Sequence, residues 1–230
     1  LSGVADYQST SIGKDITQSF FYGGLIDAEM KQRSSSRHDE INRFGLEMNA
    51  EFEYRNEKLR LFKDSLIGLV LKGGVYNLSS MIYSKDLFDL AFFGNQMFIG
   101  DTADLTGSEF SSITFQKLGF GLMDKRTKSS LVFNFVGLNN YVQGAFGDSY
   151  LYQNQVVDSM SMKLSGSATR ALGEGYFKGM GVALDIDYRF KMKKNEYDFV
   201  HFQLLARNLG FAVMKGESYS SNSSLSYSSY

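Results

Sequence analysis

Residues 43–55 read RFGLEMNAEFEYR. The even positions are all apolar or aromatic: Phe44, Leu46, Met48, Ala50, Phe52 and Tyr54. The odd positions carry Arg43, Glu47, Asn49, Glu51, Glu53 and Arg55, broken once by Gly45. A period of two is the signature of a strand whose faces meet different surroundings. One face here suits oil, and the other holds three carboxylates. At about 3.3 Å per residue the stretch would span roughly 43 Å. Average globular strands have about 5–6 residues, and membrane-crossing strands about 9–11.

Working outward, the same alternation recurs twice. In 16–30 the even positions are Ile16, Gln18, Phe20, Tyr22, Gly24, Ile26, Ala28 and Met30, which predicts a strand with Gln18 as its polar exception. In 180–190, Met180, Val182, Leu184, Ile186, Tyr188 and Phe190 alternate with Gly181, Ala183, Asp185, Asp187 and Arg189. Less regular strands are expected at 65–77, 109–123, 129–139, 156–170 and 198–214, with a short one at 147–153, nine in all. Short polar connections at 56–58, 124–128, 154–155 and 191–196 interleave with longer ones at 32–40, 78–108 and 171–178. Tight turns at one end and longer loops at the other are the habit of outer-membrane barrels. One segment breaks the pattern. In SKDLFDLAFFG (84–94) Ser84 is placed to cap a helix, Asp86 lies in its first turn, and Gly94 can end it.

Composition points the same way. The 230 residues contain no proline, where an average of roughly 5% would give about eleven. Phe (20) and Tyr (14) supply every aromatic residue, since Trp is absent. Long paired strands exclude proline, which has no N–H for the ladder, and favour aromatics. A net charge of −1 offers no field for nucleic acid. The absence of cysteine excludes disulfides and thiolate metal sites. His38 and His201, the two histidines, leave little room for imidazole chemistry. No run of 18 apolar residues marks a transmembrane helix, and no signal peptide is read at Leu1; a cytosolic chain and a mature exported one fit equally.

The expected fold is therefore all-β: an antiparallel transmembrane β-barrel of the outer-membrane type, read as an incomplete or N-terminal part of a longer barrel. The layout is an N-terminal segment (1–14), barrel strands (15–215) with a helical insert near 84–94, and a Ser/Tyr-rich tail (216–230) expected to be a flexible loop or ill-defined end. The expected lumen-facing charges are Glu47, Glu51, Glu53, Asp185, Asp187 and Arg189, paired with one another. The expected lipid contacts are Phe44, Leu46, Met48, Phe52, Val182, Leu184 and Ile186. On this reading Leu46→Arg disrupts assembly by about 2–4 kcal/mol, and Glu51→Arg is tolerated far better. The alternative class is a soluble or surface-attached β-sandwich with an adhesive or structural role, its charged faces in bulk water.

Enzymatic and metal readings find little support. Glu51/Glu53 and Asp185/Asp187 place carboxylates about 7 Å apart on one strand face, a spacing open to glycoside hydrolysis or calcium but as well explained by a paired lumen. Gly173, Gly175 and Gly179 do not form a dinucleotide-binding motif and read as a tight connection. The glycine pairs 23–24 and 73–74 read as bends or close packing. Neither histidine lies in a Ser/His or Asp/His motif of the kind some outer-membrane barrels use as lipases or proteases. No catalytic residue, cofactor or metal is assigned.

Several segments, in order, resemble an uncharacterised family of Bacteroidota outer-membrane β-barrels that is distantly similar to PorV/FadL-type barrels. They are YSKDLFDLAFFGN (83–95) followed by FIG (98–100), then ITFQKLGFGL (113–122), GMGVALDIDYRF (179–190) and FQLLARNLGFAVMK (202–215). Asn208 stands where that pattern has Asp, and Met214 near where it has Trp. The resemblance implies an outer-membrane barrel with no established activity, and it carries over no catalytic residue. The function expected is that of a non-enzymatic outer-membrane barrel of the Bacteroidota, either passing a small or hydrophobic solute or serving as a scaffold in a larger assembly. Its partners would be outer-membrane lipid and other outer-membrane proteins or lipoproteins, with no nucleic acid.

Overall fold

The computed structural model describes residues 1–58, 66–156, 159–194 and 198–228. In chain order the elements are β1 (Ser2–Ser9), α1 (Lys14–Tyr22), α2 (Ala28–Ser35), β2 (Ile41–Asn56), β3 (Ile67–Ser84), α3 (Lys85–Phe93), a 3-10 turn (Asn95–Phe98), β4 (Thr102–Asp104), β5 (Glu109–Asp124), β6 (Ser130–Phe146), β7 (Tyr150–Gln153), β8 (Ser159–Leu172), β9 (Gly179–Lys193) and β10 (Phe199–Ser228). All ten strands join one antiparallel sheet in the order β1-β2-β3-β5-β6-β9-β10-β8-β7-β4, with β6 also pairing β8.

The register resolves this order into seven lanes. Residues 130–138 of β6 pair with β9, and 142–146 pair with β8. β10 likewise pairs with β9 through 199–214 and with β8 through 215–228. β8 and β9 therefore lie end to end between β6 and β10, and 173–178 is an excursion within one lane. β7 continues the line of β6 along β8, and β4, paired to β7, continues the line of β5. Neighbouring lanes alternate in direction, so β1 in the first and β10 in the seventh run the same way.

The sheet is curled. Arg55 of β2 lies 3.9 Å from Asp187 of β9, with three lanes between them. On a flat sheet, lanes about 4.8 Å apart would hold those strands about 19 Å from each other.

Several expectations change. The stretch 16–30 is not a strand but α1 and α2. Its apolar residues at 16, 20, 26 and 30 satisfy i, i+4 as well as i, i+2. Gly23, at φ 77°, stops the first helix, and Asp27 caps the second by accepting a bond from the Met30 N–H at 2.8 Å. The loop expected at 32–40 begins inside α2. The Ser-rich tail is not loose: β10 runs on to Ser228, each residue of 215–228 opposite one of β8. The ladder bonds are backbone bonds, and small serines on both strands cost them nothing. Part of the 1–14 segment is β1, and β4 adds a strand that the sequence did not mark.

The expected alternation of turn lengths is also revised, because 154–155 lies at the same end as α1–α3, opposite 125–129. Residue 65 of the strand expected at 65–77, residues 157–158 of that expected at 156–170, residues 195–196 of the connection expected at 191–196 and residues 229–230 of the tail lie outside the described residues. α3 forms where Ser84 and Gly94 mark it, the Ser84 hydroxyl accepting from the Leu87 N–H at 3.1 Å.

The three helices gather at that end. Ile16, Tyr83 and Phe88 form their buried centre, joined by Ile12, Ile26, Met30, Phe44 and Met81.

Candidate functional site

The two faces of the sheet differ row by row. Phe52, Gly73, Leu118, Phe135, Val182 and Phe211 stand abreast across six lanes. The adjacent row on the same, convex face is Tyr54, Leu71, Phe120, Phe133, Leu184 and Leu209. Between them, pointing inward, stand Glu53, Lys72, Gly119, Asn134, Ala183 and Gly210. Burial follows the face and opposes polarity. Lys117 is 4% exposed and its neighbour Leu118 50%; Asn134 is 0% exposed between Phe133 at 45% and Phe135 at 59%.

Inside, charges alternate in sign. Lys117 Nζ lies 3.0 Å from Asp185 Oδ2, 2.8 Å from Asn208 Oδ1 and 3.9 Å from Glu51 Oε1, and 4.6 Å from the centre of the Tyr76 ring. Glu51 also accepts the Tyr76 hydroxyl and meets Arg207 Nη1 at 3.5 Å. The other oxygen of Asp185 accepts the Asn208 backbone N–H at 2.9 Å. Asn208 makes this possible by its conformation. Its φ of 57° sits in the left-handed region, at a register shift between Ala206 and Leu209, so the bulge turns its amide toward Lys117.

A second string runs Lys72–Glu53–Arg55–Asp187–Arg189. Lys72 Nζ lies 3.1 Å from Glu53, which also binds Arg55. Asp187 accepts Arg189 Nη2 at 2.7 Å and Nε at 3.0 Å, and Gln203 at 2.8 Å.

Glycine gives these side chains room. A Cβ at Gly119 would collide with the Asn134 amide, and one at Gly121 with Val132. Below the charges Val70, Met123 and Val132 are closed off, at 1% exposure or less. Around Lys117, Asn134 and Asp185 the interior is closed off and the charges are paired.

Of the six charged residues expected on this face, Glu51, Glu53, Asp185, Asp187 and Arg189 enter the network. Glu47 shares the face but stands apart, exposed, opposite Asp6 and bonded to Asn49 at 3.0 Å. Met48 (42% exposed) and Phe52 (47%) lie open on the convex face, while Leu46, Val182, Leu184 and Ile186 are half-covered by larger neighbours. Phe44 is different. It stacks on Tyr7 at 6.4 Å and packs under the helices, so it is a contact within the protein and not an open one. Lys117, Lys72, Tyr76, Arg207 and Asn208 were not foreseen. Lys117 had a signal: it is the one charge within ITFQKLGFGL, in phase with Gly119 and Gly121. The Asn208 bulge had none that period two could show.

His38, by contrast, belongs to the helical end. Nδ1 donates to the Ser34 carbonyl at 2.7 Å, so Nε2 accepts from the Tyr83 hydroxyl at 3.1 Å, whose oxygen in turn accepts a hydrogen bond from the Ser11 hydroxyl at 3.1 Å. Burial holds the imidazole below its ordinary pKa. Among the described residues no three His, Asp or Glu side chains converge as a metal-holding group. None of the described helices is long and apolar enough to cross a membrane, which leaves crossing by strands open. No family model, curated protein or solved structure matches the chain.

Proposed function

We propose that the chain forms a β-barrel embedded in a bacterial outer membrane, lipid against its convex face, and that it works as a scaffold subunit and not as a channel or an enzyme. The observation that carries this reading is the inversion of burial within single strands, Lys117 hidden and Leu118 open. Water favours the opposite arrangement. Hydrocarbon favours this one, with aromatic and aliphatic rows outside and paired charges within. Because β1 and β10 run the same way, an antiparallel barrel closes through an odd number of further strands, and lipid leaves no edge unpaired. The resemblance to the Bacteroidota barrels agrees. The soluble sandwich fits less well, since it needs two facing sheets and the ten strands form one.

Scaffold is favoured over passage by the packed section around Lys117 and Val132. The partners are then outer-membrane lipid and a neighbouring outer-membrane protein or lipoprotein. The test is twofold. The protein should resist carbonate extraction from outer membranes and migrate differently on gels before and after heating, and it should add no conductance to a planar bilayer. Complete extraction by carbonate overturns the membrane reading, and steady single-channel currents overturn the scaffold. One observation supports a lipophilic cargo as a second reading: a cavity of about 540 Å³ lined by Met81, Leu87, Phe110, Phe146, Leu164 and Tyr219. Co-purified lipid seated there, and lost on Phe110→Ser, would favour it.

A further inference from the structure

The helical end carries an apolar knuckle that none of the described residues covers. Residues 16–26, ITQSFFYGGLI, contain no charge. The base of this segment is tied down, with Ile16 3% exposed against Tyr83 and Phe88, and Ile26 and Met30 returning to the same cluster. Residues 20–25 stand clear. Phe20 is 74% exposed, Phe21 46%, Tyr22 86% and Leu25 85%. The knuckle is built and not frayed. Gly23 turns the chain at φ 77°, Phe20 and Phe21 meet edge to face at 5.9 Å, and Asp27 starts the next helix at once.

We propose that this knuckle is a membrane-interface anchor, with Phe20, Tyr22 and Leu25 inserted at the boundary between headgroups and acyl chains; the proposal rests on the membrane reading above. Continuity with the convex face selects lipid as the occupant. The helices that carry the knuckle pack on Phe44 and Met81, and below Phe44 the same face of β2 continues as Leu46, Met48, Ala50 and Phe52. Aromatic side chains with an apolar body and a polar edge favour that boundary, and an uncharged helical tip can enter it without burying an ion. The anchor would fix the height of the helical end against the bilayer surface.

The chain has no tryptophan, so a single one reports alone. Tyr22→Trp replaces one exposed aromatic by another and leaves the packed base intact, and Phe133→Trp places the same probe on the outer rows. Each variant is folded into phosphatidylcholine–phosphatidylglycerol vesicles brominated either near the carboxyl end of the acyl chain or near its middle. The proposal expects strong quenching of the Tyr22→Trp probe by the shallow bromines and weak quenching by the deep ones. Quenching of Phe133→Trp with none of Tyr22→Trp overturns the anchor and leaves the barrel standing. Quenching of neither overturns both. A Tyr22→Trp emission that shifts to the blue only as protein concentration rises, without lipid quenching, assigns the knuckle to a second copy of the chain and also overturns the anchor.

Discussion

Lys117 is the residue on which the interior turns. A buried ammonium is tolerated only when its neighbours answer it, and here Asp185, Asn208 and Glu51 do so within 3.9 Å. Lys117→Met leaves Asp185 and Glu51 facing a methyl group. Unfolding in urea from lipid vesicles should show a loss of about 3–5 kcal/mol, the usual cost of breaking a buried pair. The double variant Lys117→Met, Asp185→Leu should lose clearly less than the sum of the single ones; strict additivity would mean that the two do not act as a pair.

Glu51 is judged differently from the structure than from the sequence. As one of several paired lumen-facing charges it would be expected to tolerate Arg far better than Leu46 would. Held between Lys117 and Arg207, it should not, and Glu51→Arg should fold at least as poorly as Lys117→Met. At the helical end the pH dependence has a definite sign. The folded protein keeps His38 neutral, with Asp89 and Asp39 favouring its charge and Lys85 opposing it. Its contribution is present above the ordinary histidine pKa of about 6.5 and is lost as pH falls through the lower folded value, since the unfolded chain takes the proton first. Protection factors of the α3 amides, taken relative to the intrinsic exchange rate at each pH, should therefore fall on acidification, and His38→Gln should flatten that response.

At the scale of elements, each helix end is a local contract that can be tested alone. Ser84 closes β3 and opens α3: its hydroxyl accepts from Leu87 and donates to the Asp104 carbonyl at 2.6 Å. Ser84→Ala removes both, and thermal unfolding should report about 1 kcal/mol lost, while Ser80→Ala, on an exposed part of β3, should cost little. The cap at Ser84 was legible because cap and turn residues act within four positions of themselves. The nature of 16–30 was not, because i, i+4 belongs to both periods and only the Gly23–Gly24 break separates them. Low complexity misled in the tail, where backbone pairing to β8 and not side-chain pattern sets the strand. The long strands β2, β5 and β9 were read within a residue or three of their ends, since their alternation is carried by whole faces.

For the whole molecule, the decisive property is which face meets which medium. The charged residues that the alternation placed on one side do share a side, but several of their partners lie two to five lanes away, and no reading of single strands could pair Glu51 with Arg207 or Arg55 with Asp187. Curvature supplies those pairs. The same curvature turns Phe52, Leu118, Phe135, Val182 and Phe211 outward in one row, where water would reward none of them.

The most direct measurement is the folding free energy of Phe135→Arg, at the middle of that row, in lipid vesicles and in lipid-free buffer. With lipid against the convex face, the charge costs about 2–4 kcal/mol in vesicles, and the unaltered protein does not reach its folded state without lipid or detergent. A change within about 0.5 kcal/mol, as expected for a water-exposed site, together with folding in plain buffer, would contradict the account.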